Sequence, residues 1–332
     1  MDTADDAAFM DRALALGATA RAVAPPNPWV GAVLVTPAGS VHEGATAAPG
    51  GPHAEIGALA AAGTAATGAT LYVTLEPCAH HGRTPPCADA VIAAGVARVV
   101  VALEDPDPSV RGAGLARLRA AGVAVDVGLR SPEAAAQLAP YLKHRTTGRP
   151  WVVLKLAATL DGRIAAADGT SRWITGDAAR DDAHRLRAES DAVLVGAGTV
   201  RADDPALTVR RVPGRDPLRV VLGRAGPGAR VHPALELSGD LGAVLDDLGG
   251  RGVVQLLVEG GARVAHGFHA AGLVDRYVLY LAPALAGGDD GPGLFAGPGA
   301  PTIADVWRGR VVDVARLGDD LRVELAPAQG AG

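Results

Sequence analysis

A short segment of the sequence, residues 53–87, sets the tightest limit on what this chain can be. It opens with the triplet His53-Ala54-Glu55 and contains both cysteines of the 332-residue chain, Cys78 and Cys87. One imidazole and two thiolates make a three-ligand zinc set, and a catalytic zinc keeps three protein ligands and leaves its fourth position to water. His53 and Glu55 project about 200° apart on a helix, which favours one ligand and one non-ligand. The pattern predicts zinc on His53, Cys78 and Cys87, with Glu55 moving protons beside it.

Two other roles for these residues stay open from the sequence. His80 or His81 could close a structural zinc site as a fourth ligand, although structural sites usually pair their cysteines as C-x(2–4)-C. A disulfide is the other alternative, but two cysteines in so long a chain do not resemble a disulfide framework. The acidic start, residues 1–6, lacks the basic and apolar regions of a signal peptide, so we expect a reduced, cytoplasmic site.

Composition narrows the class of partner. A net charge of −5 and an aromatic content of 3% argue against a nucleic-acid surface, a membrane surface or a base-stacking platform. Apolar residues make up 48% of the chain, enough for two cores, yet no apolar run is long enough to span a membrane. The length suggests two domains of ordinary size. We therefore expect a small phosphorylated substrate, with no nucleic-acid partner and no membrane partner.

Strand and helix patterns alternate along the first half of the chain. Apolar spacing predicts helices over 5–20, 53–63, 87–94 and 112–121, and strands over 30–35, 71–75, 99–103 and 123–127. The Gly- and Pro-rich stretch 39–52 is expected to be a loop. This alternation implies an α/β domain whose sheet is covered on both faces. The basic, polar stretch 142–150 ends in Gly-x-Pro and is expected to be a linker to a second domain.

The spacing of the two cysteines carries a family resemblance. Eight residues, A-H-H-G-R-T-P-P, separate Cys78 from Cys87, whereas deaminases that act on nucleic acid use a short P-C-x-x-C. With H-A-E upstream, this insert resembles the deaminase half of the bifunctional riboflavin-biosynthesis deaminase–reductases. The resemblance implies a cytidine-deaminase-like α/β/α layered domain over residues 1–145 that deaminates a phosphoribosylated pyrimidine. It assigns Asn27 to the pyrimidine, and His80 and Arg83 to the ribose phosphate.

This half departs from the family pattern at two positions. The family carries D-P-N-P after the fourth strand, and this chain has Asp107 in place of the Asn. That exchange removes an amide donor and puts the substrate contact at this position in doubt. Seven residues before His53, where the family usually has a second His, the chain has Thr46. Neither change touches the predicted zinc ligands.

The second half resembles the family's reductase, a dihydrofolate-reductase-like α/β domain, over residues 150–328. The matching runs are residues 155–163, 171–175, 196–210 and 258–262. No G-x-G-x-x-G follows a strand and opens a helix, which disfavours a Rossmann domain. The resemblance implies that NADPH reduces the ribosyl chain of the deaminated product to ribityl.

The resemblance also implies roles for individual residues of this half. It assigns to NADPH Ala157, Trp173, Thr199, Asp203, Gly261, Ala262, Arg263 and Gly267. It assigns to the substrate Ser171, Arg187, Leu207, Arg210 and Glu259. Lys155, Asp203 and Glu259 are expected to frame the reacting centre.

Two of these roles have a basis in the residues themselves. Lys155 interrupts an apolar strand, where a charge is costly unless it is paired or functional. The alternative is an edge-strand lysine whose amine reaches solvent. Gly260 and Gly261 stand at a helix entrance, where free backbone N–H groups are expected to bind a pyrophosphate.

The reductase half departs from the family after the strand 218–222. Gly223 and Arg224 stand where the family has Asp and a small hydroxyl residue, and the stretch to the next strand is short by about one strand and helix. The shortened stretch leaves open a deaminase with an inactive reductase domain. Two further alternatives are a nucleic-acid deaminase, which the long cysteine spacing and the acidic pI oppose, and a non-enzymatic zinc protein. By analogy, residues 275–281 and the final hairpin are expected to form a homo-oligomer surface.

Overall fold

The computed structural model describes residues 3–80, 85–108 and 110–328 of the chain. Contacts between residues divide the chain into two compact units, Met1–Gly148 and Arg149–Gly332. Within the described ranges, no helix has both the length and the apolar composition needed to cross a membrane.

The first unit is built on one mixed sheet. Its strands are β1 (Gly31–Val35), β2 (Val41–Ala45), β3 (Thr70–Val73), β4 (Arg98–Val101) and β5 (Ala124–Val127). Its helices are α1 (Thr3–Thr19), α2 (Ala54–Ala62), α3 (Cys87–Ala93), α4 (Ala113–Ala120) and α5 (Ser131–Thr147). The strand order is β2-β1-β3-β4-β5, with β3, β4 and β5 parallel and β1 antiparallel to both of its neighbours.

Helices cover both faces of this sheet, as the alternation of elements predicted. Side chains alternate between the faces of a strand, so Val33 of β1 and Tyr72 of β3 face α1 and α5. Met10 of α1 and Ala134 of α5 complete that buried cluster. The three remaining helices pack against the opposite face and against one another.

Two predicted segments of this unit are wrong. The stretch 39–52 is not all loop, because β2 pairs with β1 from Val41 to Ala45. As a half-exposed edge strand with the sequence V-H-E-G-A, β2 lacks the apolar alternation that signals a strand. The linker expected over 142–150 is helical up to Thr147. A basic, polar run before glycine is also the signature of a helix C-terminus, and Gly148 ends α5 in that way.

The second unit is built on a larger sheet. Its strands are β6 (Trp151–Thr159), β7 (Ala192–Gly196), β8 (Leu218–Leu222), β9 (Leu235–Leu237), β10 (Gln255–Val258), β11 (Arg276–Ala282), β12 (Gly309–Leu317) and β13 (Asp320–Pro327). Its helices are α6 (Asp177–Ala188), α7 (Ala197–Asp203), α8 (Leu241–Gly250) and α9 (Ala262–Ala270). The strand order is β12-β13-β11-β6-β10-β7-β8-β9, and all pairs from β11 to β9 are parallel.

A buried cluster lies on each face of the second sheet. Leu154 of β6 packs with Leu245 of α8 and Phe268 of α9. Val153, the preceding residue of β6, faces the other way and packs with Leu186 of α6. This arrangement fixes which residues of β6 reach each face, and it places the strand ends beside α6 and α9.

Two expectations about strand edges change with this topology. The edge-strand alternative for Lys155 is wrong, because β6 pairs with β10 and β11 on its two sides. The stretch 275–281, expected by analogy at an oligomer surface, is not a sheet edge, since β11 pairs with β6 and β13. The edge strands of this sheet are β9 and β12, and in β12 Val311 and Val314 are 56% and 57% exposed.

Candidate metal centre and reductase site

Three elements bring the predicted metal ligands together. His53 is the N-cap residue of α2, Cys87 begins α3, and Cys78 lies in the loop after β3. The Nδ1 atom of His53 is 3.2 Å from Cys87 Sγ and 3.8 Å from Cys78 Sγ. All three donor atoms lie within 4.8 Å of one another. One nitrogen and two sulfurs at this separation fit the tetrahedral preference of zinc.

The pKa values of the two cysteine thiols are shifted in opposite directions. Hydrogen bonds from Cys87 and His53 lower the pKa of Cys78 to about 4, against the opposing effect of burial. The pKa of Cys87 is raised, because the neighbouring Cys78 sulfur and burial both favour its neutral thiol. The pair is therefore ready to release one thiol proton with ease, and a bound metal would take the second thiolate.

The alternatives of a closed metal site and a disulfide find no support. Among the residues that the structure describes, the cluster contains three donors and His80 is not one of them. His81 lies outside the described residues. Both cysteines are free thiols. Three ligands leave one position for a reactant, which is the arrangement of a catalytic site.

Glu55 is a buried carboxyl beside this cluster. It lies in the first turn of α2 and is 3% exposed. Burial raises the pKa of Glu55 to about 7. A carboxyl that titrates near neutrality can both accept and donate a proton at working pH.

A second buried carboxylate, Glu76, fixes the loop that carries Cys78. It accepts backbone N–H groups from Gly114 at 2.9 Å, Gly112 at 3.0 Å, Asp105 at 3.2 Å and Leu115 at 3.3 Å. A side chain at Gly114 would bring its Cβ within 1.9 Å of the Pro77 carbonyl oxygen. The bare backbone there lets the start of α4 touch the chain immediately before Cys78.

The metal cluster opens into a cavity of about 590 Å³. Its lining includes five of the predicted site residues, namely Asn27, His53, Glu55, Cys78 and His80. Arg83, assigned to the ribose phosphate, lies outside the described residues. Thr46 also lines the cavity, and its hydroxyl accepts the Val30 N–H at 3.0 Å, which is a structural role.

Sequence reasoning missed one wall of this cavity. Tyr141 donates its hydroxyl to Asp105 Oδ2 at 2.9 Å, and Asp107 donates its N–H to Asp105 Oδ1 at 2.9 Å. Arg145 Nε lies 3.5 Å from Asp107 Oδ2, and its guanidinium carbon lies 5.1 Å from the centre of the Tyr141 ring. Tyr141 and Arg145 are four residues apart on α5, a spacing that would have placed them on one helix face. The linker assignment hid that signal.

In the second unit, an ionic cluster joins Lys155 to Glu259. Their Nζ and Oε2 atoms are 3.8 Å apart, and Arg187 donates to both carboxylate oxygens of Glu259, at 2.5 and 2.9 Å. The side chain of Glu259 is only 8% exposed. The predicted trio of Lys155, Asp203 and Glu259 is thus joined in part, with Arg187 as an additional member. No ion pair or hydrogen bond of the described residues links the Asp203 carboxylate to it.

Charges within this cluster shift the acidity of its members. Burial opposes ionisation of Glu259, but Arg187 and Lys155 lower the pKa of Glu259 to about 2. Burial lowers the pKa of Lys155 against the opposing effect of Glu259, and Arg187 adds to the lowering. The pKa of His184, on α6, falls to about 4 because of burial and the neighbouring Arg187 and Arg210. His184 is therefore neutral at working pH, and its Nδ1 accepts the backbone N–H of Arg210 at 3.2 Å.

The start of α9 suits a bound pyrophosphate, with one correction. Gly261 does not offer a free N–H, because that group donates to the Thr199 hydroxyl at 3.2 Å. The helix proper begins at Ala262, and no side chain caps it. The first-turn N–H groups, including those of Ala262 and Arg263, are left for an anion. Gly267 lies further along α9 and packs toward Leu241.

The remaining predicted residues of this half lie on neighbouring segments. Trp173 is 67% exposed, and Arg180 lies 4.5 Å from its ring. Ala157 is on β6 and Ser171 is half-buried in the following loop. Leu207 is 2% exposed in the core, so any contact with a ligand would come from its backbone.

The departures after β8 have a partial explanation. Gly223 has a φ of 100°, a conformation that favours glycine over the aspartate expected there. Its N–H donates to Leu237 of β9 at 2.8 Å. The short β9 is thereby joined to the end of β8. Arg224 is exposed, and its role stays unassigned.

Comparison with known proteins identifies both halves. The model of the cytidine and deoxycytidylate deaminase zinc-binding region matches residues 3–103, and that of the RibD C-terminal domain matches residues 150–323. The riboflavin biosynthesis protein RibD of Escherichia coli is 40% identical over 366 residues, covering 97% of this chain and all of the relative. That alignment is longer than this chain, so this chain lacks segments that the relative carries.

Solved structures agree along the whole length. A form of RibD from Acinetobacter baumannii superposes with a TM-score of 0.92 at 38% identity, covering 99% of this chain and 100% of that one. A Thermotoga maritima protein, named as a diaminohydroxyphosphoribosylaminopyrimidine deaminase and 5-amino-6-(5-phosphoribosylamino)uracil reductase, gives 0.87 at 34% identity, covering 97% and 99%. The predicted fold of both halves is confirmed. The chain belongs to the RibD family, the riboflavin-biosynthesis enzymes that join a zinc-dependent deaminase to an NADPH-dependent reductase.

Proposed function

We propose that the first unit hydrolyses an amino group from 2,5-diamino-6-(5-phosphoribosylamino)pyrimidin-4-one, and that the second reduces the ribosyl chain of the product to ribityl. The observation that carries the first step is the convergence of His53, Cys78 and Cys87 beside buried Glu55 in one cavity. The two substrates share a ribose phosphate, so both units need an anion site.

In deamination, the residues of the chain hold the ring and move protons. Zinc, when bound to His53, Cys78 and Cys87, makes water nucleophilic near neutral pH. Asn27 orients the pyrimidine over the cluster. Glu55 accepts a proton from the attacking water and passes it to the ring nitrogen, then takes the second proton from the newly formed hydroxyl and passes it to the amino nitrogen. A carbon–oxygen bond forms, the carbon–nitrogen bond breaks, and ammonia leaves.

In reduction, the ionic cluster of the second unit stabilises the sugar. NADPH, when bound, supplies a hydride to the first carbon of the opened ribose. The residues proposed to hold it are Ala157, Trp173, Thr199, Asp203, Gly261, Ala262, Arg263 and Gly267. Lys155 and Glu259 stand at the reacting carbon, with Asp203 beside them. The ribose phosphate is bound by Ser171, Arg187, the backbone of Leu207, and Arg210.

A proposed location and assembly complete this picture. Two free cysteines at a metal site support a reducing, cytoplasmic compartment. The exposed edge strand β12, with Val311 and Val314, supports a homo-oligomer through the reductase unit. Light scattering of Val314→Glu tests the second point, with a smaller assembly than wild type as the expected result.

Glu55→Gln, assayed beside the wild type, tests the assignment. The expected wild-type product shows amino-to-oxo exchange without NADPH and a gain of two hydrogens with it, measured by mass spectrometry. The variant should keep its zinc and lose about 10²- to 10⁴-fold in ammonia release, since proton transfer by a positioned group contributes that much. Ammonia release near the wild-type rate would refute the role of Glu55.

A further inference from the structure

Charge is unevenly distributed in the deaminase cavity. Four acidic side chains line it, namely Glu55, Glu76, Asp105 and Asp107. Among the lining residues that the structure describes, Arg145 is the one lysine or arginine. A phosphorylated substrate that entered this cavity would meet repulsion from each of these groups that is ionised. Arg145 is the permanently charged cation among the described lining residues, and it can offset this repulsion.

Arg145 is held toward the cavity from two sides. The Asp107 carboxylate lies 3.5 Å from its Nε atom, and the Tyr141 ring lies under the guanidinium carbon at 5.1 Å. Tyr141 is itself anchored, since its hydroxyl donates to buried Asp105 at 2.9 Å. A guanidinium carries five N–H donors, and the contact with Asp107 is made at the Nε end. The Arg145 side chain is 34% exposed, so ligand atoms can reach it.

We propose that Arg145 is a substrate-binding residue of the deaminase unit that contacts the ribose phosphate, and that Asp107 is its positioning residue. The inference rests on the proposed deaminase substrate. It explains in physical terms why this chain has Asp107 where the family has Asn. The Asp107 carboxylate lacks the amide donor of Asn, but it orients the guanidinium of Arg145. That guanidinium provides a positive charge and several N–H donors for phosphate oxygens.

Arg145→Gln and Arg145→Lys test the contact. Steady-state ammonia release by the zinc-loaded full chain should show KM raised by about 10- to 100-fold in Arg145→Gln, as expected for loss of a charged hydrogen bond. The turnover number should change less than KM, because Glu55 and the zinc ligands are untouched. Arg145→Lys keeps the positive charge but loses the planar set of guanidinium donors, so its KM should lie between those of the wild type and Arg145→Gln. Arg117→Gln, which removes an exposed ion pair with Asp89, is the matched control and should behave as wild type.

A double-mutant cycle tests the role of Asp107. Arg145→Gln takes the guanidinium of Arg145 away from that carboxylate, which then faces an anionic substrate without this neighbouring positive charge. Adding Asp107→Asn to Arg145→Gln should therefore lower KM again by about threefold or more, whereas Asp107→Asn alone should raise it slightly. Zinc content and the thermal midpoint should stay at wild-type values in all variants. Additive effects of the two substitutions would refute the positioning role.

Inhibition by ribose 5-phosphate distinguishes a contact between Arg145 and the phosphate from a contact between Arg145 and the pyrimidine ring. Its inhibition constant against ammonia release should rise at least about tenfold in Arg145→Gln. An unchanged inhibition constant with a raised KM would overturn the phosphate assignment and indicate the pyrimidine. An unchanged KM in Arg145→Gln would overturn the whole inference. Absence of ammonia release from the wild type would instead refute the proposed function.

Discussion

The two candidate sites of this chain are assembled in different ways. The metal centre takes its ligands from a single stretch of the chain, residues 53–87, and two of them stand at the starts of α2 and α3. The proposed reductase centre takes Lys155, Arg187 and Glu259 from three distant segments. Parallel pairing of β10 with β6 places Val258 opposite Leu154, so Glu259 emerges beside Lys155. The spacing of residues along the chain therefore determines the first site, and the register between paired strands determines the second.

Removal of a metal ligand should give the largest effect. Cys87→Ser takes away a fully buried thiol, and ammonia release should fall by more than about 10³-fold, because water is no longer activated. Zinc content, measured by elemental analysis, should fall with it. NADPH oxidation with the deaminated substrate should remain within about twofold of wild type. Loss of both activities in a folded protein would break the separation of the two sites.

Lys155→Met should give the complementary result. It removes the ammonium beside Glu259 while keeping the length and apolar stem of the side chain. NADPH oxidation, followed by absorbance, should fall by about 10²-fold, because the charge at the reacting centre is lost. Ammonia release should be unchanged. A variant with normal NADPH oxidation would show that the register of β6 and β10 does not define the reducing centre.

Glu76→Gln should lower the stability of the first unit more than it lowers the rate of deamination. Its carboxylate accepts four backbone N–H groups, and an amide would point donors at some of them. We expect the free energy of unfolding to fall by about 2–3 kcal/mol, the typical cost of unsatisfied buried donors. Urea denaturation measures it, with Glu43→Gln on exposed β2 as the control. Wild-type stability would mean that the Cys78 loop is held by other contacts.

The smallest effect is a pH dependence confined to the reductase site. The pKa of Glu259 lies below its ordinary value of 4.5, so the stabilisation is complete above that pH and is lost as the pH falls toward 2. Between pH 4.5 and 3.5 the free energy of unfolding should fall by about 1 kcal/mol more in wild type than in Glu259→Gln. Asp247→Asn, in an exposed pair with Arg251, should follow the wild type. Parallel curves for wild type and Glu259→Gln would contradict the ion-pair assignment.

Sequence alone predicted the metal centre better than its surroundings. His53, Cys78 and Cys87 came from residue type and spacing, and the cavity gathers Asn27, Glu55 and His80 around them. The wall of Tyr141 and Arg145 was missed, because a polar helix end and a linker have similar composition. The edge strand β2 was missed because a half-exposed strand has little apolar alternation to detect.

The reductase half shows a different limit. Family resemblance selected Lys155 and Glu259, but no pattern in the sequence predicts the two hydrogen bonds that Arg187 donates to the Glu259 carboxylate through Nε and Nη2. Such a pair forms only when α6 packs across the strand ends. The hydrogen bond from Gly261 to Thr199 is likewise a product of tertiary structure, and it removes a donor that the sequence had offered to the cofactor.

The length of α5 decides where this chain can be divided. Because the helix runs through Thr147 and carries Tyr141 and Arg145, its last two turns belong to the deaminase cavity. A gene split at residue 145, the limit that the family resemblance implied for the first domain, would sever the helix just after its cavity-lining arginine. Halves made for separate expression should instead be separated after Gly148, so that the fragment retains a closed helix end.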